Sequence, residues 1–132
     1  MDNIRYEGFF LDLYLMSHLA LNSDFKEIAH KHITTEYMPK ITHKHLYGKR
    51  ATFRILGYGF DGINEGLSVE LINAENPKLT DLYKGIKIPH ITLSVRNDGK
   101  SVNTANLEFH QVSPIIIHCT FGGYTKNGPI FE

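Results

Sequence analysis

The chain has 132 residues, 42% of them apolar and 21% charged, which fits one globular domain over residues 1–132 with a sizeable core. Lysines and arginines (14) cancel aspartates and glutamates (14), so no global field steers a long polyanion and a small anionic ligand is favoured. Cys119 is the single cysteine, which excludes an internal disulfide framework; its apolar neighbours Ile115, Ile116 and Ile117 predict a buried, inert thiol.

Gly8 to Met16 (GFFLDLYLM) is aromatic-rich and reads as a buried strand, with a helix the alternative for so short an apolar run. The apolar run from Gly8 to Leu21 is interrupted by Asp12 and His18 and lacks a basic start, so neither a signal peptide nor a membrane span is expected. A cytoplasmic protein without a membrane partner is the expectation. Asn22 to His30 has helical spacing at Phe25, Ile28 and Ala29, with Ser23 or Asp24 as cap. His32 opens a strand that Pro39 closes. Ala51 to Phe60 and Leu67 to Ile72 make a hairpin about the turn signal Asp61-Gly62. Asn76-Pro77 starts a second helix that Gly85 stops. His90 to Val95 is a strand, Asn97-Asp98-Gly99 a turn, and Asn106 to Val112 and Pro114 to Phe121 the last two strands. Tyr124, Ile130 and Phe131 predict that the tail docks. This order suggests two related halves and an α+β fold with antiparallel sheets and outer helices.

One short pattern occurs in both halves: His32-Ile33-Thr34-Thr35 and His90-Ile91-Thr92-Leu93. On a strand, His and Thr two apart share a face while the Ile between them turns to the core. Two such strands side by side set two imidazoles and two hydroxyls around one cleft. Cleavage of a phosphodiester needs a group to take a proton from the nucleophile and another to supply one to the leaving oxygen, and histidine can do either. Thr34 and Thr92 can donate to the non-bridging oxygens, where charge accumulates. Thr35 breaks the pattern, since an apolar residue suits that core-facing position better.

The paired motifs resemble those of the two-histidine (2H) phosphoesterase superfamily, which is defined by two His-apolar-Thr/Ser-apolar elements. Its members include RNA 2′,3′-cyclic phosphodiesterases, the cyclic phosphodiesterase domain of fungal tRNA ligases, and phage enzymes that degrade cyclic-nucleotide immune signals. The stretch Pro89 to Phe109 looks closest to the tRNA-ligase-like and phage branches. The resemblance implies a bilobal 2H phosphoesterase-like fold, with two antiparallel sheets about a central cleft. It also implies no cofactor and no metal, with catalysis by His32, Thr34, His90 and Thr92. The expected activity is hydrolysis of cyclic nucleotides or cyclic oligonucleotides, as in a viral enzyme that removes immune second messengers. An RNA-repair-type 2′,3′-cyclic phosphodiesterase acting on an RNA terminus and a non-catalytic nucleotide sponge are the alternatives.

Tyr37, Tyr47 and Tyr124 are candidates to stack on a nucleobase, and Lys126 to meet a phosphate. Tyr47 lies in the basic segment Lys40 to Arg50, which reads either as a flap or as a polar connection. His30-Lys31-His32 and His43-Lys44-His45 have metal-ligand spacing but no nearby Asp or Cys partners at the usual spacing. Gly57-Tyr58-Gly59 lacks the strand-to-helix context of a dinucleotide fingerprint. His118 and Cys119 are adjacent on a strand and face opposite ways, so they do not form a nucleophile pair.

Overall fold

The structure is a computed structural model that describes residues 3–12, 26–27 and 30–132. Its strands are β1 (Tyr6–Leu11), β2 (Lys26–Glu27), β3 (His32–Tyr37), β4 (Arg50–Phe60), β5 (Asn64–Ala74), β6 (His90–Val95), β7 (His110–Thr125) and β8 (Gly128–Ile130). One α-helix, α1 (Pro77–Lys84), and two 3-10 turns at Lys44–Leu46 and Ser101–Asn106 complete the described elements. The strands form one antiparallel sheet in the order β2-β6-β5-β4-β7-β1-β3, with β8 added to β7.

This architecture corrects the expected bilobal α+β fold with two sheets and outer helices. Among the described residues strands hold 52% and helical elements 15%, in one nearly closed, barrel-like sheet. The reason lies in strand length. β4 and β5 each run for 11 residues and β7 for 16, long enough to join both halves into one sheet. β7 pairs with β4 along most of its length and with β1 over Cys119 to Tyr124. Pro114, expected to separate two strands, lies inside β7 at an irregularity: Ile55 pairs with Ile115, and the next pairing joins Gly57 to Gln111. A residue without an N–H is tolerated where the ladder is already broken. The helix expected over Asn22 to His30 also fails at Lys26–Glu27, which pair with Val95 and Ser94 of β6 as a strand; its other residues up to 29 lie outside the described ones.

Other expectations hold. β4 alternates strictly, burying Ala51, Phe53 and Ile55, and the core gathers Phe9, Ile33, Leu67, Ile91, Leu93, Ile117 and Phe121 around them. The Asn76 side chain caps α1 by accepting from the Lys78 N–H at 2.9 Å, and Leu79 buries the helix against the core. Cys119 is fully buried, and burial pushes its thiol far above the ordinary range. The tail continues β7 to Thr125 and returns as β8.

The two halves repeat more than the His-x-Thr pattern. In β1, Glu7 pairs with Glu36 and Gly8 with Thr34; in β5, Glu65 pairs with Ser94 and Gly66 with Thr92. The ladder skips one residue at the same place in each, leaving Thr35 and Leu93 extra. Both glycines are dictated by close approach. A Cβ on Gly8 would lie 2.3 Å from the Ile33 carbonyl oxygen, and one on Gly66 2.8 Å from that of Ile91. Both glutamates are 0% exposed. The bulge also accounts for Thr35, whose hydroxyl donates to the Glu7 carbonyl at 3.1 Å. A polar residue at that position satisfies a backbone acceptor where its counterpart, Leu93, fills core.

Candidate functional site

β3 and β6 lie at opposite sides of the curled sheet and pack toward each other, so their motif faces meet. His32, Thr34, His90 and Thr92 line one cleft of about 290 Å³, together with Tyr6, Tyr37, Tyr124 and Ser101. Six of the eight residues expected at a site are thus brought together. Tyr47 is not among them. Its ring packs on Phe121 in the core and its hydroxyl donates to Glu7 at 2.7 Å. The segment around it is therefore a structural connection, and Tyr47 cannot act as a flap that stacks on a base. Lys126 stands exposed in the turn between β7 and β8 and does not line the cleft.

Both histidines are held in the same way. Nδ1 of His32 lies 2.8 Å from the carbonyl oxygen of His30, and Nδ1 of His90 lies 2.8 Å from that of Ile88. A carbonyl only accepts, so each Nδ1 carries the proton and each Nε2 is left as the working nitrogen. The repeat thus extends to tautomer as well as to position.

Their surroundings differ. His32 stacks on Tyr6 with ring centroids 4.4 Å apart, and Tyr6 stacks in turn on Tyr124 at 4.9 Å and 5°. Burial pushes the His32 protonation midpoint down from 6.5 to about 4; His90 and His30 push the same way, against the stabilising His30 carbonyl. His32 is therefore a neutral imidazole at neutral pH. The aromatic wall has its own signature, since burial raises the Tyr6 phenol well above the ordinary range. Tyr37 meets Tyr6 edge-on at 5.8 Å and is 54% exposed, at the rim.

The threonines differ too. Thr34 makes no side-chain hydrogen bond among the described residues, so its hydroxyl is free for a ligand. Thr92 is 7% exposed, 2.8 Å from the Thr104 hydroxyl and 3.3 Å from the Ser101 carbonyl oxygen.

Behind the cleft the two buried glutamates repeat. Glu7 accepts from the backbone N–H and Nδ1 of His43 and from Tyr47, each at 2.7 Å. Glu65 accepts from Tyr58 at 2.5 Å and from Ser94 at 2.9 Å. Burial and this bond push the Tyr58 phenol up to about 12. Glu7, Glu36 and His43 place three ligand-type atoms within 4.8 Å, but the donors on Glu7 already account for its burial without a cation. The two His-x-His pairs are divided between the cleft (His32) and this network (His43).

Sequence reasoning missed Tyr6, Ser101 and the two glutamates. Glu7-Gly8 and Glu65-Gly66 are a second repeated dipeptide and were the available signal, while nothing local marked Ser101. Compared with known proteins, the chain matches no protein-family model, and no curated protein matches it. Among the described residues no helix is long and apolar enough to cross a membrane.

Proposed function

We propose that the cleft hydrolyses a phosphodiester of a cyclic nucleotide or cyclic oligonucleotide, with His32 as general base and His90 as general acid. The observation that carries the proposal is the pairing of two imidazoles on facing strands, each pinned through Nδ1 so that Nε2 is the free nitrogen. A metal chelate or a nucleophile–base pair would not need that arrangement, whereas in-line displacement at phosphorus needs a proton acceptor and a proton donor on opposite sides.

The assignment of roles follows from burial. His32, neutral and backed by Tyr6, offers an Nε2 lone pair that takes the proton of the attacking water. His90 acts in its doubly protonated form, keeping the Nδ1 proton on the Ile88 carbonyl and giving the Nε2 proton to the leaving oxygen. One proton is taken and one given, so solvent exchange between turnovers restores the pair. Thr34 donates to one non-bridging oxygen. The face of Tyr37 at the rim, with Tyr6 and Tyr124 beside it, provides an aromatic wall for a base. A cleft of this volume suits a nucleotide-sized ligand and is small for a folded nucleic acid.

A turnover screen in EDTA tests the proposal. Cyclic 3′,5′-linked di- and trinucleotides are set against nucleoside 2′,3′-cyclic monophosphates, with the His90→Ala protein as control. Cleavage of the cyclic oligonucleotides is expected. Cleavage of the 2′,3′-cyclic phosphates alone would move the activity to RNA-end processing, and binding without cleavage by wild type would leave a nucleotide sponge.

A further inference from the structure

Thr92 stands at the end of a buried hydrogen-bond chain whose polarity can be worked out. Asn64 is 1% exposed and Thr104 is 0% exposed. The Asn64 amide nitrogen donates to the Lys100 carbonyl at 2.9 Å and to the Thr104 hydroxyl at 3.0 Å. The Lys100 carbonyl fixes the orientation of this amide, because the flipped form would set oxygen against oxygen. That orientation leaves Asn64 Oδ1 buried without a partner among the described residues, so the bonds made by the nitrogen must outweigh a cost.

Thr104 therefore receives a proton from Asn64 and still has its own to place. Its hydroxyl lies 2.8 Å from Thr92 Oγ1, and no other acceptor for it is found among the described residues. Were Thr92 to donate to Thr104, the Thr104 proton would be stranded inside a fully buried residue. Were Thr104 to donate to Thr92, every proton in the chain would have an acceptor. The Thr92 proton then rests on the Ser101 carbonyl at 3.3 Å, a long contact that a ligand oxygen in the cleft can replace.

We propose that Asn64 and Thr104 are positioning residues that orient the Thr92 hydroxyl proton toward a phosphate oxygen in the cleft. The inference rests on the phosphodiester reading above and adds a device to it. Thr34 needs no such relay, because no side-chain hydrogen bond among the described residues competes for its hydroxyl. Thr92 does, because without it the Thr104 hydroxyl would compete for its proton.

The test pairs Thr104→Val, which keeps the shape and removes the hydroxyl, with Thr104→Ser, which restores it. Substrates are the two phosphorothioate diastereomers of whichever phosphodiester the wild type turns over. We expect Thr104→Val to lower kcat/KM about tenfold, the loss of one bond to a charged oxygen. It should also narrow the diastereomer preference, and Thr104→Ser should recover both. In a Thr92→Val background, Thr104→Val should cost nothing further. An unchanged diastereomer preference, or an equal cost in that background, would overturn the relay. A wild type that cleaves no diester would instead overturn the functional reading. The relay is then judged by titrating both variants with a nucleoside monophosphate: weaker binding by Thr104→Val and recovery by Thr104→Ser support it, and equal binding by all three proteins overturns it.

Discussion

His32→Gln should make the protein less sensitive to acid while destroying its turnover. Glutamine can still donate to the His30 carbonyl, so the perturbation removes chiefly the titratable ring. Above the ordinary midpoint of 6.5, His32 is neutral in both folded and unfolded chains and adds no pH dependence. Between 6.5 and about 4 the unfolded chain takes up a proton that the folded one refuses, so stability falls. Below about 4 both forms are protonated and the loss levels off. At roughly 1.4 kcal/mol per pH unit the full loss is about 3 kcal/mol, of which roughly 2 kcal/mol falls between about pH 7 and about pH 4.5. Urea unfolding of wild type and His32→Gln at those two pH values isolates this contribution, because other titrating groups are common to both. The same burial places the acid limb of wild-type kcat/KM near 4 instead of 6.5. Equal losses of stability in the two proteins would show that the imidazole is not desolvated, and the assignment of His32 as base would fall with it.

His90→Ala should lower turnover by roughly 10²–10⁴-fold and leave urea stability within about 0.5 kcal/mol of wild type; a variant that keeps its rate would remove the acid from the mechanism. Gly8→Ala drives a Cβ to 2.3 Å from the Ile33 carbonyl oxygen, against backbone that cannot yield cheaply. It should cost about 3 kcal/mol in chemical denaturation, and an unperturbed midpoint would contradict the close pairing of β1 with Thr34. Tyr37→Ala should raise KM about tenfold with little change in kcat, and Tyr37→Phe should behave as wild type. An effect on kcat alone would move Tyr37 from base stacking to the reacting centre.

Much of the site was legible in the sequence because it depends on strand periodicity, and a period of two survives any arrangement of the sheet. His90, Thr92, Ile91 and Leu93 show this: their alternation fixes which side chains face the cleft before any neighbour is known. The closure of the sheet was not legible. The His110–Thr125 strand contains Pro114, which locally reads as a break, and only its pairing with the irregular stretch of β4 shows why the strand continues through it. Tyr47 misled for a related reason. In sequence it sits among Lys40, Lys44, Lys49 and Arg50, a polar setting. Its burial depends on Glu7, forty residues earlier, which no local pattern links to it. Thr35 looked like a flaw because the bulge that exposes the Glu7 carbonyl to it is a property of two strands together.

The repeated geometry and the unequal surroundings belong to one argument. A symmetric pair of histidines would titrate alike and divide its protonation states between useful and useless combinations. Here the backbone is duplicated, with the same Glu-Gly bulge, the same Nδ1 contact two residues back and the same threonine register. What differs is what packs on top. One half carries Tyr6 and Tyr124, which bury His32 and hold it neutral. The other carries the turn Ser101–Asn106, which engages Thr92, and among the described residues no tyrosine stacks on His90. The duplicated frame sets two nitrogens across one cleft, and under the proposed mechanism the unequal coverings suit them to different tasks. Replacing Tyr6 by Ala should therefore move the acid limb of kcat/KM up from about 4 toward 6.5, as solvent reaches His32. An acid limb that stays near 4 in that variant would mean that the tyrosine wall is not what distinguishes the two halves.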